Sequence, residues 1–351
     1  MNIGERIELA RKKAGLTQQE LADKVGGITK QSISKYEIGK SVPSSGVLLR
    51  LANTLGVTLD FLVRPTLVKL DDVQFRKTTK VSAADLARIE ADVTDVLERE
   101  LTVERIVLGQ DVRQYDGPSD VPVDSLDDAE AAAAALREQW GLGLEPIANL
   151  TNLLEDHGVR VVVVAPAKGF DGLKQWVHDR PVIALAATPM GDRQRFTMAH
   201  ELGHLILKCS ARDSEVENRR FEQNAANRFA GALLVPCETV LANLGEQRTG
   251  LSLEELYALK HLYGASMQCW TRRARDCAVI SEKTYVDICK HARKHGWRDE
   301  EPGDQVEPEM PTVSARLLER AQAEDYISEA RAAELAGKSL REFRASRLAL
   351  A

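Results

Sequence analysis

The segment RFTMAHELGHLILK, built around His200-Glu201-Leu202-Gly203-His204, constrains this chain more than any other part of it. Two histidines four residues apart share a face only if the backbone between them is helical. Phe196, Ala199, Leu202, Leu205 and Ile206 alternate with them at the spacing that buries a helix. Two imidazoles in such a setting are costly unless something satisfies them. The segment therefore predicts a buried helix whose rings converge on one metal ion. Glu201, lying between them, is placed to reach a metal-bound water and not the metal. The ion lowers that water's pKa and polarises a peptide carbonyl, while Glu201 carries the proton to the leaving amine.

Two histidines do not complete such a site, because catalytic zinc usually takes three protein ligands plus water. No HExxHxxGxxH pattern continues here: Cys209, Ser210 and Ala211 follow the helix. The third ligand is expected from the next helix, RRFEQNAANRFAGALLVP, as Glu222, with Glu217 and Glu215 as fallbacks. A His/His/Glu set suits Zn2+ best and also accepts Mn2+.

The 351 residues leave room for two or three domains, and 44% hydrophobic content is enough to bury sizeable cores. No apolar run is long enough to span a membrane. The opening MNIGERIELARKK lacks the apolar stretch of a secretion signal. Five cysteines form no CxxC pair, which favours a reducing compartment over a disulfide framework. The expected location is cytoplasmic and nucleoid-associated. The net charge of −6 hides an asymmetry: residues 1–66 carry +4 and the remainder −10. A small basic head on an acidic body suggests that the head alone meets a polyanion.

That head reads as five short helices. Ile3, Ile7, Ala10 and Ala14 recur at helical spacing up to Gly15. Thr17 with Glu20 forms a capping box for a second helix, and Thr29 caps a third, KQSISKYEIG. A fourth helix starts at Pro43 and Ser44, and Thr58 opens a last short turn. TQQELADKV, GGI and TKQSISKYE fill the positioning helix, turn and reading helix of a helix-turn-helix. Gln18 is expected where a helix N-terminus approaches phosphate; Lys30, Gln31, Ser32, Ser34 and Lys35 populate the outer face that reads base edges.

Beyond the head, a helix is predicted from Ser82 to Glu100, followed by a linker, YDGPSDVPVDSLDD. AEAAAAALREQW is a strong helix former. GVRVVVV (158–164) and PVIAL (181–185) read as strands joined by a segment with Gly169, Asp171 and Gly172. Helices follow at Arg193 to Lys208 and Val216 to Leu234. A Pro/Gly/acid-rich break, DEEPGDQVEPEMP (299–311), precedes a charged helical tail. The expected division is a DNA-binding head (1–66), a connector and acidic linker (67–125), a metal-site domain (126–300) and the tail (301–351).

The head resembles the Cro/cI-type (XRE) helix-turn-helix family, through LTQQELADKVGGITKQSISKYEIGKSVPSSGVLLRLANTLGVTLDFLV and its IS-x-YE-x-G-x-x-x-P pattern. This implies a lambda-repressor-like fold that binds a double-stranded operator, commonly as a homodimer. R-x-RFT-x-AHELGH followed by ANRFAGALLVP, with DGLKQWVHDRPVIAL before it, resembles the ImmA/IrrE metallopeptidase family over roughly 126–300. The resemblance implies a zincin-like α+β domain with a small sheet, His200 and His204 as ligands, Glu201 as general base, and cleavage of a repressor protein that frees stress or mobile-element genes. The whole is then a mainly α, multidomain chain. One departure stands out: the family's glutamate ligand falls at Gln223, one position after Glu222, and the two lie on either side of Ala226 on the helix surface. The alternative is a non-proteolytic transcription factor or antitoxin whose zincin-like domain senses a ligand or binds a partner.

Other residues invite plainer readings. His178 beside Trp176 suits a surface position or the cleft; Tyr257, His261 and Tyr263 suit packing, and Cys209 suits packing or a thiol near the metal.

Overall fold

The computed structural model describes residues 3–64, 81–109, 111–167, 169–177 and 179–348. The head is the expected five-helix unit: α1 (Ile3–Lys13), α2 (Gln18–Val25), α3 (Lys30–Glu37), α4 (Ser45–Leu55) and α5 (Leu59–Val63). The capping box forms as read, with Glu20 N–H donating to Thr17 Oγ1 at 3.2 Å and Thr17 N–H to Glu20 Oε2 at 2.8 Å. Those bonds satisfy two amides the helix start leaves open. Ile7, Leu21, Ile33, Leu51 and Leu62 form the head's buried core.

Helix α6 (Ala83–Leu108) is longer than its sequence pattern suggests and faces three neighbours. Ile89, Val93 and Leu97 pack on a small sheet. Val103 packs on the tail. Its acidic side meets the head: Arg6 pairs with Glu98, Lys13 with Asp95, and Arg64 with Asp95 at 3.1 Å.

The body continues with β1 (Val121–Val123), α7 (Leu126–Gln139), α8 (Leu150–Asp156), β2 (Arg160–Val164), β3 (Gly172–Val177), β4 (Arg180–Ala186), α9 (Gly191–Ile206), β5 (Leu207–Cys209) and α10 (Glu215–Leu234). The sheet order is β2-β4-β3, with β2 parallel and β3 antiparallel to β4. The segment expected to be a plain connection after Gly169 therefore supplies a strand. In the expected linker, β1 pairs in parallel with β5, directly after the HExxH helix. Among the described residues, α11 (Cys237–Leu244), α12 (Leu253–Tyr263), α13 (Met267–Asp276) and α14 (Glu282–Lys294) complete the body, and α15 (Val313–Ala323), α16 (Glu329–Leu335) and α17 (Leu340–Leu348) form the tail.

The acid-rich break before the tail is not a free spacer. Val306 O accepts from Gly191 N–H at 2.7 Å, and a Cβ on Gly191 would meet Glu307 O at 2.1 Å, so only glycine admits this strap. Glu309 is buried, accepts from the Leu150 and Thr151 amides at 3.0 and 2.7 Å, and pairs with Arg195 at 2.5 Å. The strap thereby fixes the starts of α8 and α9 together. No described helix is long and apolar enough to cross a membrane.

Candidate functional site

In the head, α3 is anchored by buried Ile33 and presents Lys30, Gln31 and Lys35 to solvent, with Ser32 and Ser34 half-buried beside them. Thr29 Oγ1 accepts from Ser32 N–H at 3.2 Å and stiffens the first turn. Gln18 is turned inward: its amide donates to Glu37 Oε2 at 2.7 Å, within a network where Arg11 also binds Glu37 at 2.6 Å. Gln18 thus braces α2 on α3, leaving its side chain a positioning role.

In the body, α9 is buried in the main core along the stripe Met198, Leu202 and Ile206. His200 and Glu201 are 0% and 1% exposed, while His204 is half-buried. The two imidazoles stand one turn apart, centroids 4.6 Å and planes 85° from each other, and the Phe196 ring lies 6.5 Å from that of His200. Gly203 brings α10 close: a Cβ there would meet Phe229 Cδ1 at 3.0 Å and Ala226 Cα at 3.3 Å. That approach sets which residue of α10 faces the histidines. It is Gln223, whose amide donates to His204 Nε2 at 3.0 Å. Glu222, expected as the third ligand, is exposed one position away. Its charge is felt at Lys174 and Cys209. Glu215 and Glu217 are also exposed, at the start of α10. Among the described residues, the one group of three metal-ligating side chains with atoms within 4.8 Å of one another is Glu130, Cys237 and Cys277, away from both histidines. A zinc ion at His200 and His204 would meet an amide where a carboxylate is needed. Among the described residues, those gathered at the two histidines supply an amide and not the third ligand of a catalytic zinc centre.

Comparison with known proteins gives two regions of likeness. The Helix-turn-helix family profile matches residues 7–62. An uncharacterized HTH-type transcriptional regulator of Bacillus subtilis (strain 168), YqaE, is 33% identical over 94 residues, 26% of this chain and 80% of that protein. The chain belongs to the helix-turn-helix family. The SPbeta prophage-derived uncharacterized HTH-type transcriptional regulator YonR of the same strain is 46% identical over 69 residues, 20% of this chain and 63% of YonR. HTH-type transcriptional regulator ImmR, also from that strain, is 40% identical over 63 residues, 18% of this chain and 49% of ImmR. The chain thus spans less than two thirds of YonR and about half of ImmR. The IrrE N-terminal-like domain profile matches residues 154–275, so this helix-turn-helix protein carries a metallopeptidase-like domain on its head-to-tail axis of sequence.

Lys174 is a site residue that pattern reading overlooks. It sits in β3 and donates to His204 O at 2.6 Å, at the C-terminal end of α9 where a cation is favoured. Burial lowers its pKa against the pull of Glu201 and Glu222. A lysine inside GLKQWV, flanked by strand residues, is the signal that could have revealed it. His178 lies outside the described residues. Tyr263 packs edge-on against Trp270 at 5.1 Å and Tyr257 against His261 at 4.6 Å, in line with packing. A cleft of about 880 Å³ opens beside Phe196, walled by Asn227 and Arg228 of α10, Arg272 of α13, and Trp297.

Proposed function

We propose that this chain is a DNA-binding transcriptional regulator whose metallopeptidase-like domain acts as a sensor or partner-binding module. The observation that carries the second half is the hydrogen bond from Gln223 to His204. It gives the HExxH helix a polar partner in the position a third ligand would take, and leaves Glu222 in solvent. The cleft beside Phe196 offers that module a surface for a ligand or a protein segment. The first half rests on the exposed outer face of α3, with Lys30, Gln31, Ser32, Ser34 and Lys35 as the reading set and a double-stranded operator, bound by a dimer, as the partner. A cytoplasmic, nucleoid-associated location follows from that role.

A second reading has one observation in its favour. Glu201 is intact and buried between the histidines, a residue that ligand sensing does not require. On that reading the domain is an endopeptidase acting on a repressor, with Glu201 as its base and with His200, His204 and Glu222 as ligands of a zinc or manganese ion.

Footprinting and mobility-shift titration on the chain's own upstream DNA test the regulator half. Lys35→Ala is expected to weaken binding to all sequences alike and to reduce the salt slope by about 1. Gln31→Ala is expected to relax sequence preference. Unchanged binding in both would remove α3 as the reading helix. Incubation with repressors from neighbouring genes separates the two readings of the body: cleavage lost in Glu201→Gln would establish the peptidase.

A further inference from the structure

Outside the HExxH site, two thiols and a carboxylate converge where α7, α10, α11 and α13 meet. Cys237 is the first residue of α11 and Cys277 the C-cap of α13. Their sulfurs and a Glu130 oxygen lie within 4.8 Å of one another, and both cysteines are free and half-buried.

The charges around the group argue against a cation. Glu130 is held by a guanidinium fork: Arg273 donates to its two oxygens at 2.8 and 2.5 Å. Arg228 adds a third bond at 3.0 Å. Arg273 is buried and cannot swing aside, since its Nε donates to Val235 O at 2.9 Å and its Cδ fills the space beside Gly231. A divalent ion between the sulfurs would face two guanidinium groups and a carboxylate already committed to them. What remains is a pair of thiols from distant parts of the chain. Disulfide closure brings two sulfurs to about 2 Å, and these two already lie within 4.8 Å of each other at the ends of two helices.

We infer that Cys237 and Cys277 form a reversible intramolecular disulfide that ties the start of α11 to the end of α13. The oxidant is a low-molecular-weight disulfide. The thiolate of Cys237 attacks one of its sulfurs, forming a mixed disulfide and releasing one small thiolate. The thiolate of Cys277 then attacks the Cys237 sulfur and releases the second. Two electrons and two protons pass from the protein thiols to two small thiols. Burial pushes the Cys277 thiol well above its ordinary range, so exchange is slow at neutral pH and faster as pH rises. Equilibrium, not rate, is the proper reading. The bond restrains the unfolded chain across a long loop and therefore stabilises the fold.

The test equilibrates the full chain with glutathione and its disulfide at graded ratios, traps free thiols by alkylation, and maps peptides by mass spectrometry. The expected product carries no disulfide between chains and is cross-linked within the chain between Cys237 and Cys277, with a raised Tm that reductant reverses. Cys237→Ser or Cys277→Ser abolishes the cross-link, and Cys209→Ser or Cys289→Ser leaves it intact. Full alkylation of both cysteines at the most oxidising ratio would overturn the inference. So would mixed disulfides with glutathione alone, intermolecular dimers, or a zinc ion retained by the reduced protein and lost in Cys237→Ser.

Discussion

Single side chains here carry more than one job, and Glu100 shows how. It is buried in α6 near Arg160, yet Arg160 is already committed to Glu104. Burial raises the Glu100 carboxyl to about 7, with Arg160 opposing and Glu155 and Glu104 adding to the rise. A carboxyl whose folded pKa lies above its unfolded value binds its proton more tightly when folded. Its contribution is complete below the unfolded value of 4.5 and is lost as pH climbs through about 7. Glu100→Gln is therefore expected to melt higher than the parent at pH 8 and to flatten the fall in Tm between pH 6 and 8. Were the variant to melt lower at every pH, an ionised Glu100 paired with Arg160 would be the correct state.

At the scale of elements, the decisive contact is the close approach of α9 and α10 at Gly203. Gly203→Val forces two branches against Phe229 and Ala226, and is expected to cost roughly 1–3 kcal/mol in denaturant unfolding. Leu202→Ala in the same helix, buried in the body's main core, should cost about 2–5 kcal/mol. The same contact explains what the sequence could and could not say. Helix identities were legible because Thr17, Thr29, Thr58 and Ser82 cap them with their own side chains, a local property. The HExxH helix was legible from its apolar spacing. The rotation of α10 was not, since Glu222 and Gln223 straddle one face and only the seat at Gly203 chooses between them. The β1–β5 pair was hidden because three-residue strands draw on a partner far along the chain, and β3 because Lys174 and Gln175 interrupt its apolar run although its hairpin partner β4 follows at once. So was the strap at 301–312, whose Pro, Gly and acid content reads as a spacer although Glu309 is buried against Arg195.

Across the whole molecule, the head is seated on the body through charge. Asp95 is reached by Lys13, by Arg64 at 3.1 Å and by Arg99 at 3.4 Å, and Arg331 of the tail adds a bond to Asp60 of α5 at 3.3 Å. Burial works against the Asp95 charge, but Lys13, Arg99 and Arg64 outweigh it and hold the carboxyl below its usual range. Asp95→Ala is expected to cost about 1–3 kcal/mol, because its cations are left facing one another at a partly exposed interface. Amide hydrogen exchange in α1 should accelerate in that variant, and in the parent as pH falls below the ordinary aspartate range, once the intrinsic pH dependence of exchange is removed. An unchanged exchange rate would mean that the head is held by other contacts.

The central claim is that Gln223 takes the place of a third metal ligand, and zinc content after mild chelation and reloading tests it most directly. The parent and Glu222→Ala are expected to retain little zinc, and Gln223→Glu, which sets a carboxylate on His204, to retain one ion per chain. One tightly held ion in the parent, lost in Glu222→Ala, would contradict the account and return the body to the peptidases.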